Sequence, residues 1–132
     1  MGTKATGTIE AKTWDEQAYS EIEGGPKLAA SKGVDLYHGD VEGEATYGGI
    51  TVYDPSGSTV FMSVQRLVGR LGDREGSIVV QIDGTVDATG STKAKWKVLP
   101  GSGTGELKGL KGKGGFVYGE KENSYTLDYE FD

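Results

Sequence analysis

Apolar and polar residues alternate with a period of two along most of this chain, in short runs separated by clusters of Gly, Asp, Asn and Ser. That period marks strands with one buried face, and turn clusters every 8–12 residues or so are expected of a barrel or sandwich. The pattern predicts strands at residues 6–12, 28–37, 41–53, 59–71, 77–86, 92–98, 115–118 and 124–131. About eight strands is the size at which a small barrel either fills with its own side chains or holds one small ligand. Helix is expected only over the polar segment 14–21 and as a single turn at 104–110. The fold expected is therefore one all-β domain over residues 1–132, an eight-stranded antiparallel β-barrel.

Turn chemistry suggests how the strands pair. Asp54-Pro55-Ser56-Gly57 has Pro at the second place of a type I turn and Gly where positive φ follows, the signature of a three-residue hairpin loop. This loop sets Val52 opposite Val60, Ile50 opposite Met62 and Thr46 opposite Arg66. A turn spanning Gly72 to Gly76 sets Val68 beside Val80 and Arg66 beside Ile82. Turn residues 87–91 set Ile82 beside Trp96 and Val80 beside Val98. One face of these four strands then carries Ile50, Val52, Val60, Met62, Val64, Val68, Ile78, Val80, Ile82, Trp96 and Val98, and is expected to be the interior. Lys93, Lys95 and Lys97 share the opposite, solvated face. Thr46, Arg66, Ile82 and Trp96 cross the middle of the expected interior, with Glu44 diagonal to Arg66 as its partner, since an unpaired buried charge is costly. Tyr47 and Tyr53 are expected on the outer face, where an apolar patch favours self-association. The alternating row Tyr125, Leu127, Tyr129 and Phe131 suits either the interior or a subunit interface.

Composition narrows the chemistry. Glycine supplies 23 of 132 residues, more than twice the usual ~7%. The glycines keep no three-residue period and Pro is scarce, so collagen is excluded. There is no Cys, hence no disulfide, thiolate metal site or cysteine nucleophile, and the single His38 excludes multi-histidine metal sites. The net charge of −6 argues against nucleic acid, which draws on clustered Lys and Arg. No apolar run is long enough to span a bilayer as a helix, and the opening residues lack a secretory apolar core, so a soluble cytoplasmic protein is expected, away from membranes.

Several features invite sharper readings and fail them on spacing. The glycine-rich run 101–115 lacks a phosphate-loop arrangement, because Gly112-Lys113 is followed by Gly114 and no long helix follows. Its expected role is structural, with Leu107 and Leu110 covering one barrel end. His38 as a general base would need Asp40, but it is expected at the surface. Asp40, Glu42 and Glu44 share one face, the first two at a solvated rim. With one His, no nucleophile, base and orienting acid can be assembled, so a hydrolase is disfavoured.

The segments Glu23-Gly24-Gly25-Pro26-Lys27-Leu28, Gly39-Asp40-Val41-Glu42-Gly43-Glu44, Pro100-Gly101-Ser102-Gly103-Thr104-Gly105-Glu106-Leu107 and Ser124-Tyr125-Thr126-Leu127-Asp128-Tyr129-Glu130-Phe131 resemble a bacterial family of small domains of unknown function, grouped with allene oxide cyclase-like barrels. The resemblance spans roughly residues 5–131. It implies an allene oxide cyclase-like barrel, often a homo-oligomer, and by itself no activity. This chain has Gly48, Gln65 and Ile82 where members often carry Glu, Glu and His, which suggests a wider, more apolar cavity with room at Gly48 and Gly49.

The function expected is a small-molecule-binding barrel, with cyclisation or isomerisation of an apolar, reactive substrate as its chemistry if it is an enzyme. In that reading Arg66 stabilises developing negative charge and Glu44 orients Arg66 or moves a proton. Trp96, Ile82, Thr46 and Met62 line the ligand, while Tyr37 and Gln81 offer hydrogen bonds. No cofactor and no metal is expected. The alternative is a non-enzymatic structural or assembly module whose barrel is filled by its own side chains.

Overall fold

The structure is a computed structural model in which residues 2–119 and 123–131 are described. They form nine strands and no helix: β1 (Thr3–Ser20), β2 (Lys27–Gly39), β3 (Val41–Tyr53), β4 (Thr59–Leu71), β5 (Arg74–Val86), β6 (Thr92–Val98), β7 (Thr104–Gly105), β8 (Leu110–Tyr118) and β9 (Asn123–Phe131). Eight of them close through antiparallel ladders in the order β1, β2, β3, β4, β5, β6, β8, β9 and back to β1, while β7 adds a two-residue pairing to β5. The chain is a closed eight-stranded antiparallel β-barrel. Among the described residues no helix is long and apolar enough to cross a membrane.

The helix expected over 14–21 is absent. β1 continues through it, with Trp14 opposite Gly33 and Glu16 opposite Ser31 on β2. A mostly polar segment of eight residues makes a marginal helix, whereas the neighbouring strand supplies ladder partners for Trp14 through Ala18 and for Ser20. A β-bulge at Lys12, between Ala11 and Thr13, shifts the alternation by one residue, so Ile9 and Ala11 point inward and then Trp14 and Glu16 do so. The segment 104–110 is a pair of tight turns, with Leu107 N–H donating to Thr104 O and Leu110 N–H to Leu107 O.

The expected register holds at two hairpins and fails at one. Val52 faces Val60, Ile50 faces Met62 and Thr46 faces Arg66. Ile82 faces Trp96 and Val80 faces Val98. Between β4 and β5, however, the loop is only Gly72-Asp73, with Gly72 at φ +63° as a two-residue hairpin loop demands at its first position. Arg66 therefore faces Val79, and Val68 faces Ser77. The offset from the expected pairing is three residues, an odd number, so the faces of β3 and β4 exchange while those of β5 and β6 stay as expected.

The consequence is an interior of different composition. Ile78, Val80, Ile82, Trp96 and Val98 are buried inside. Ile50, Val60, Met62, Val64 and Val68, expected inside, lie on the outer face and are 43–57% exposed. Tyr47 and Tyr53 turn inward in their place. Tyr125 and Leu127 belong to the core, which resolves the row on β9 in favour of the interior.

One half of the barrel is packed solid. Val41, Leu67, Leu71, Ile78 and Val98 fill it, and Leu107 from the 99–109 connection and Leu110 at the start of β8 seal its end, both at most 2% exposed. Above them Tyr37 stacks on Trp96 with ring centroids 5.7 Å apart and planes 18° from parallel, and Tyr125 tilts against both. These rings fit because glycine stands opposite them on the neighbouring strand. Trp96 pairs with Gly114 and Tyr125 with Gly7. An added Cβ would lie 2.8 Å from the indole nitrogen at Gly114 and 2.5 Å from the phenol oxygen at Gly7, and each would also strike the backbone of an adjacent strand.

Gly114→Ala is expected to lower stability by about 1–3 kcal/mol, because neither the indole nor the Thr126 carbonyl has room to retreat. Arg66→Met, on the outer face, is expected to change it by no more than about 0.5 kcal/mol. Urea unfolding of both variants checks the pair, and a large loss in Arg66→Met would contradict the β4–β5 register.

Candidate functional site

The other half of the barrel is open. Between the Tyr37–Trp96–Tyr125 layer and the mouth lies a cavity of ≈ 400 Å³. This is within the ~300–1,000 Å³ range of small-ligand pockets. Its apolar walls are Ile9, Phe61, Ile82 and Phe116, and Trp14, Tyr53 and Tyr118 stand at its rim. Trp14 is 66% exposed, a large ring facing an open space. Phe61 and Tyr47 repeat the device seen below them: Phe61 lies over Gly84, and Tyr47 lies over Gly33, where an added Cβ would be 2.6 Å from the phenol oxygen.

A polar chain enters at the floor. Tyr37 O–H donates to Gln65 Oε1 at 2.6 Å, and Gln65 Nε2–H donates to Asp35 Oδ2 at 3.2 Å. Tyr37 and Gln65 are 2% and 1% exposed. Asp35 Oδ2 is thus held from behind. Among the described residues no buried side-chain oxygen lacks a partner, and Oδ1 has no hydrogen bond, so Oδ1 opens onto the cavity that Asp35 lines. Burial pushes the Asp35 carboxyl up to about 6, with the Gln65 hydrogen bond opposing the rise. The Tyr37 phenol is raised well above its ordinary value by burial and then by the Asp35 charge.

A second carboxylate stands nearer the mouth. Tyr53 O–H donates to both oxygens of Glu16 at 2.6 Å. Tyr47, between the two acids, is pushed up to about 12 by burial, then by Asp35 and Glu16, and therefore stays a neutral hydrogen-bond donor. Ser31 and Thr51 complete the polar wall, their hydroxyls 3.1 Å apart. The site can accept hydrogen bonds and carry negative charge. Among the described residues no three His, Cys, Asp or Glu side chains converge to hold a metal ion.

The expected site residues divide by face. Trp96, Ile82 and Tyr37 point inward, with Ile82 and Tyr37 on the cavity and Trp96 in the layer beneath it, its indole N–H donating to Thr126 O at 2.8 Å. Arg66, Glu44, Thr46 and Gln81 lie on the outer face, so the structure does not bring them together with the others, and Met62, 47% exposed on that face, only borders the cavity. The reason is the odd register offset at Gly72-Asp73. Glu44 meets Lys12 at 3.6 Å in place of Arg66. His38 is at the surface beside Glu10 and Glu42, 3.2 and 3.7 Å away. Of the three departures from the resembled family, Gln65 and Ile82 line the cavity, whereas Gly48 faces outward into open space.

Asp35, Gln65, Tyr47 and Glu16 were not among the expected site residues. The signal for Asp35 was a carboxylate in phase with Tyr37 and Ala29 on the same strand. Glu16 was hidden by the helix expected over its segment.

Residues 5–129 match the family described as "Protein of unknown function (DUF3224)", and the chain belongs to that family. A crystal structure of a protein with unknown function from the same family, from Shewanella oneidensis MR-1, is similar over 100% of this chain and 98% of that one, at 27% identity and a TM-score of 0.84. No curated protein matches the chain.

Because Asp35 takes up a proton more readily when folded, its contribution to stability is fully present below about pH 3.8 and is lost as pH rises through about 6. Asp35→Asn keeps the acceptor for Gln65 and removes the charge. It is expected to be more stable than the parent by ~2 kcal/mol at pH 7.5, a value discounted for partial solvent contact, and equal to it near pH 4. Urea midpoints at both pH values check this.

Proposed function

We propose that this family member is a small-molecule-binding β-barrel that takes one compact ligand into the open half of its interior. The observation that carries the reading is the ≈ 400 Å³ cavity floored by the Tyr37–Gln65–Asp35 chain. Polar groups convergent on an otherwise apolar hollow fix the orientation of a ligand, and a half-buried carboxylate costs stability that close packing would have avoided. The alternative, a module filled by its own side chains, describes the sealed half and leaves the other half unaccounted for.

The cyclase or isomerase chemistry expected of the cavity if the protein is an enzyme relied on Arg66 and Glu44 facing the substrate. With both on the outer face, binding is the reading the interior supports, and no catalytic role is assigned.

N-phenyl-1-naphthylamine, a neutral apolar dye, is expected to bind with enhanced fluorescence. Ser63→Phe, which places a ring in the cavity from β4, is expected to lower that affinity at least about tenfold with the near-UV spectrum retained. If neither this dye nor cationic and anionic aromatic probes bind the parent protein, the proposal is overturned.

A further inference from the structure

The sign of the charge inside the cavity says more than its size. Both ionisable groups of ordinary acidic character that line it, Asp35 and Glu16, are carboxylates, and among the described residues no Lys, Arg or His lines it. Seven of the lining residues are aromatic. Their ring faces carry negative quadrupole potential, which attracts a cation and repels an anion. The phenols that converge on the acids do not reverse this. Tyr53 spends its proton on Glu16, and Tyr37 spends its own on Gln65.

We infer that the cavity is shaped for an organic cation, an amine or quaternary ammonium attached to an apolar body, with the cationic centre seated between Asp35 and the ring of Tyr47. This rests on the binding reading above and names the ligand class for the same site. Asp35 supplies the free Oδ1, while Gln65 holds the carboxylate from behind so that no reorientation is needed when a cation arrives. Glu16, fixed by Tyr53, sets a negative potential along the entry route. The molecule already shows this preference at its rim: Lys27 Nζ sits 4.6 Å over the Tyr53 ring, outside the cavity lining. An anionic ligand would meet two carboxylates with no counter-ion. A neutral one would use the apolar wall and leave the charge of Asp35 uncompensated.

The test uses displacement of bound N-phenyl-1-naphthylamine by two molecules of the same shape: benzyltrimethylammonium, permanently charged, and neopentylbenzene, its neutral carbon analogue. At pH 7.5 the cation is expected to bind at least about tenfold more tightly than the neutral analogue, and phenylacetate is expected to be weakest. Asp35→Asn is expected to remove most of the cation's advantage while dye affinity holds. Because the probe does not titrate, its pH dependence belongs to the protein. The groups facing Asp35 are Glu16 from β1, Tyr47 from β3, Gln65 from β4 and Tyr37 on its own strand, and Lys27 lies beyond at the rim. As pH falls through about 6, cation affinity is expected to drop about tenfold and level near that of Asp35→Asn, in the parent and in Glu16→Gln but not in Asp35→Asn. Equal or tighter binding of the neutral analogue, or a pH step that survives Asp35→Asn, overturns the inference while leaving the cavity reading intact. Failure of the dye and of the cationic and anionic probes alike to bind the parent protein overturns both.

Discussion

The interior of this barrel depends on one repeated contact: an aromatic ring laid across a glycine on the adjacent strand. Trp96 on Gly114, Tyr125 on Gly7, Tyr47 on Gly33 and Phe61 on Gly84 are each direct register partners. An eight-stranded barrel has little internal width, and rings of this size enter it only where the facing backbone carries no side chain. The first two pairs help build the solid layer under the cavity, and the other two shape its wall. One device therefore both closes half of the barrel and holds the other half open. The abundance of glycine, which suggested turns and spare volume, is partly spent on this accommodation.

Against that apolar frame Asp35 is the element that breaks the local rules. A strand residue facing a barrel interior is normally apolar, and a carboxyl held there resists ionisation. Gln65 and Tyr37 lessen the cost by passing hydrogen bonds toward Oδ2, yet Oδ1 remains open to the hollow. Glu16 and Tyr53 form a second polar pair nearer the mouth. Residues that strain the general pattern are expected to collect where a fold performs its task, and here they collect along one wall of one cavity.

The sign of the field follows from the register. With Arg66 and Glu44 inside, the barrel would have carried a guanidinium suited to anionic chemistry. With both outside and Asp35 and Glu16 inside, the interior is negative. The Gly72-Asp73 loop thus takes Arg66 out of the interior, and the bulge at Lys12 turns Glu16 into it.

Read from the amino-acid sequence alone, the all-β class, the eight barrel strands and the pairing across 54–58 and 87–91 were legible, because Asp, Pro and Gly at set places in those loops determine local geometry. The loops carry the expected form, with Gly57 at φ +98° and Gly90 at φ +88°. Ile82, Trp96 and Val98 were legible as interior for the same reason. The faces of β3 and β4 were not. Their outer side carries Ile50, Val60, Met62, Val64 and Val68, so hydrophobicity marks both faces alike, and only the length of the Gly72-Asp73 loop separates them. The inward turn of Trp14 and Glu16 was likewise invisible, since it requires the bulge at Lys12 that forms only when β1 is laid against β2. Alternation along a strand is a local property, but which phase faces inward is set by an odd or even count across a neighbouring strand, and that count belongs to the closed barrel.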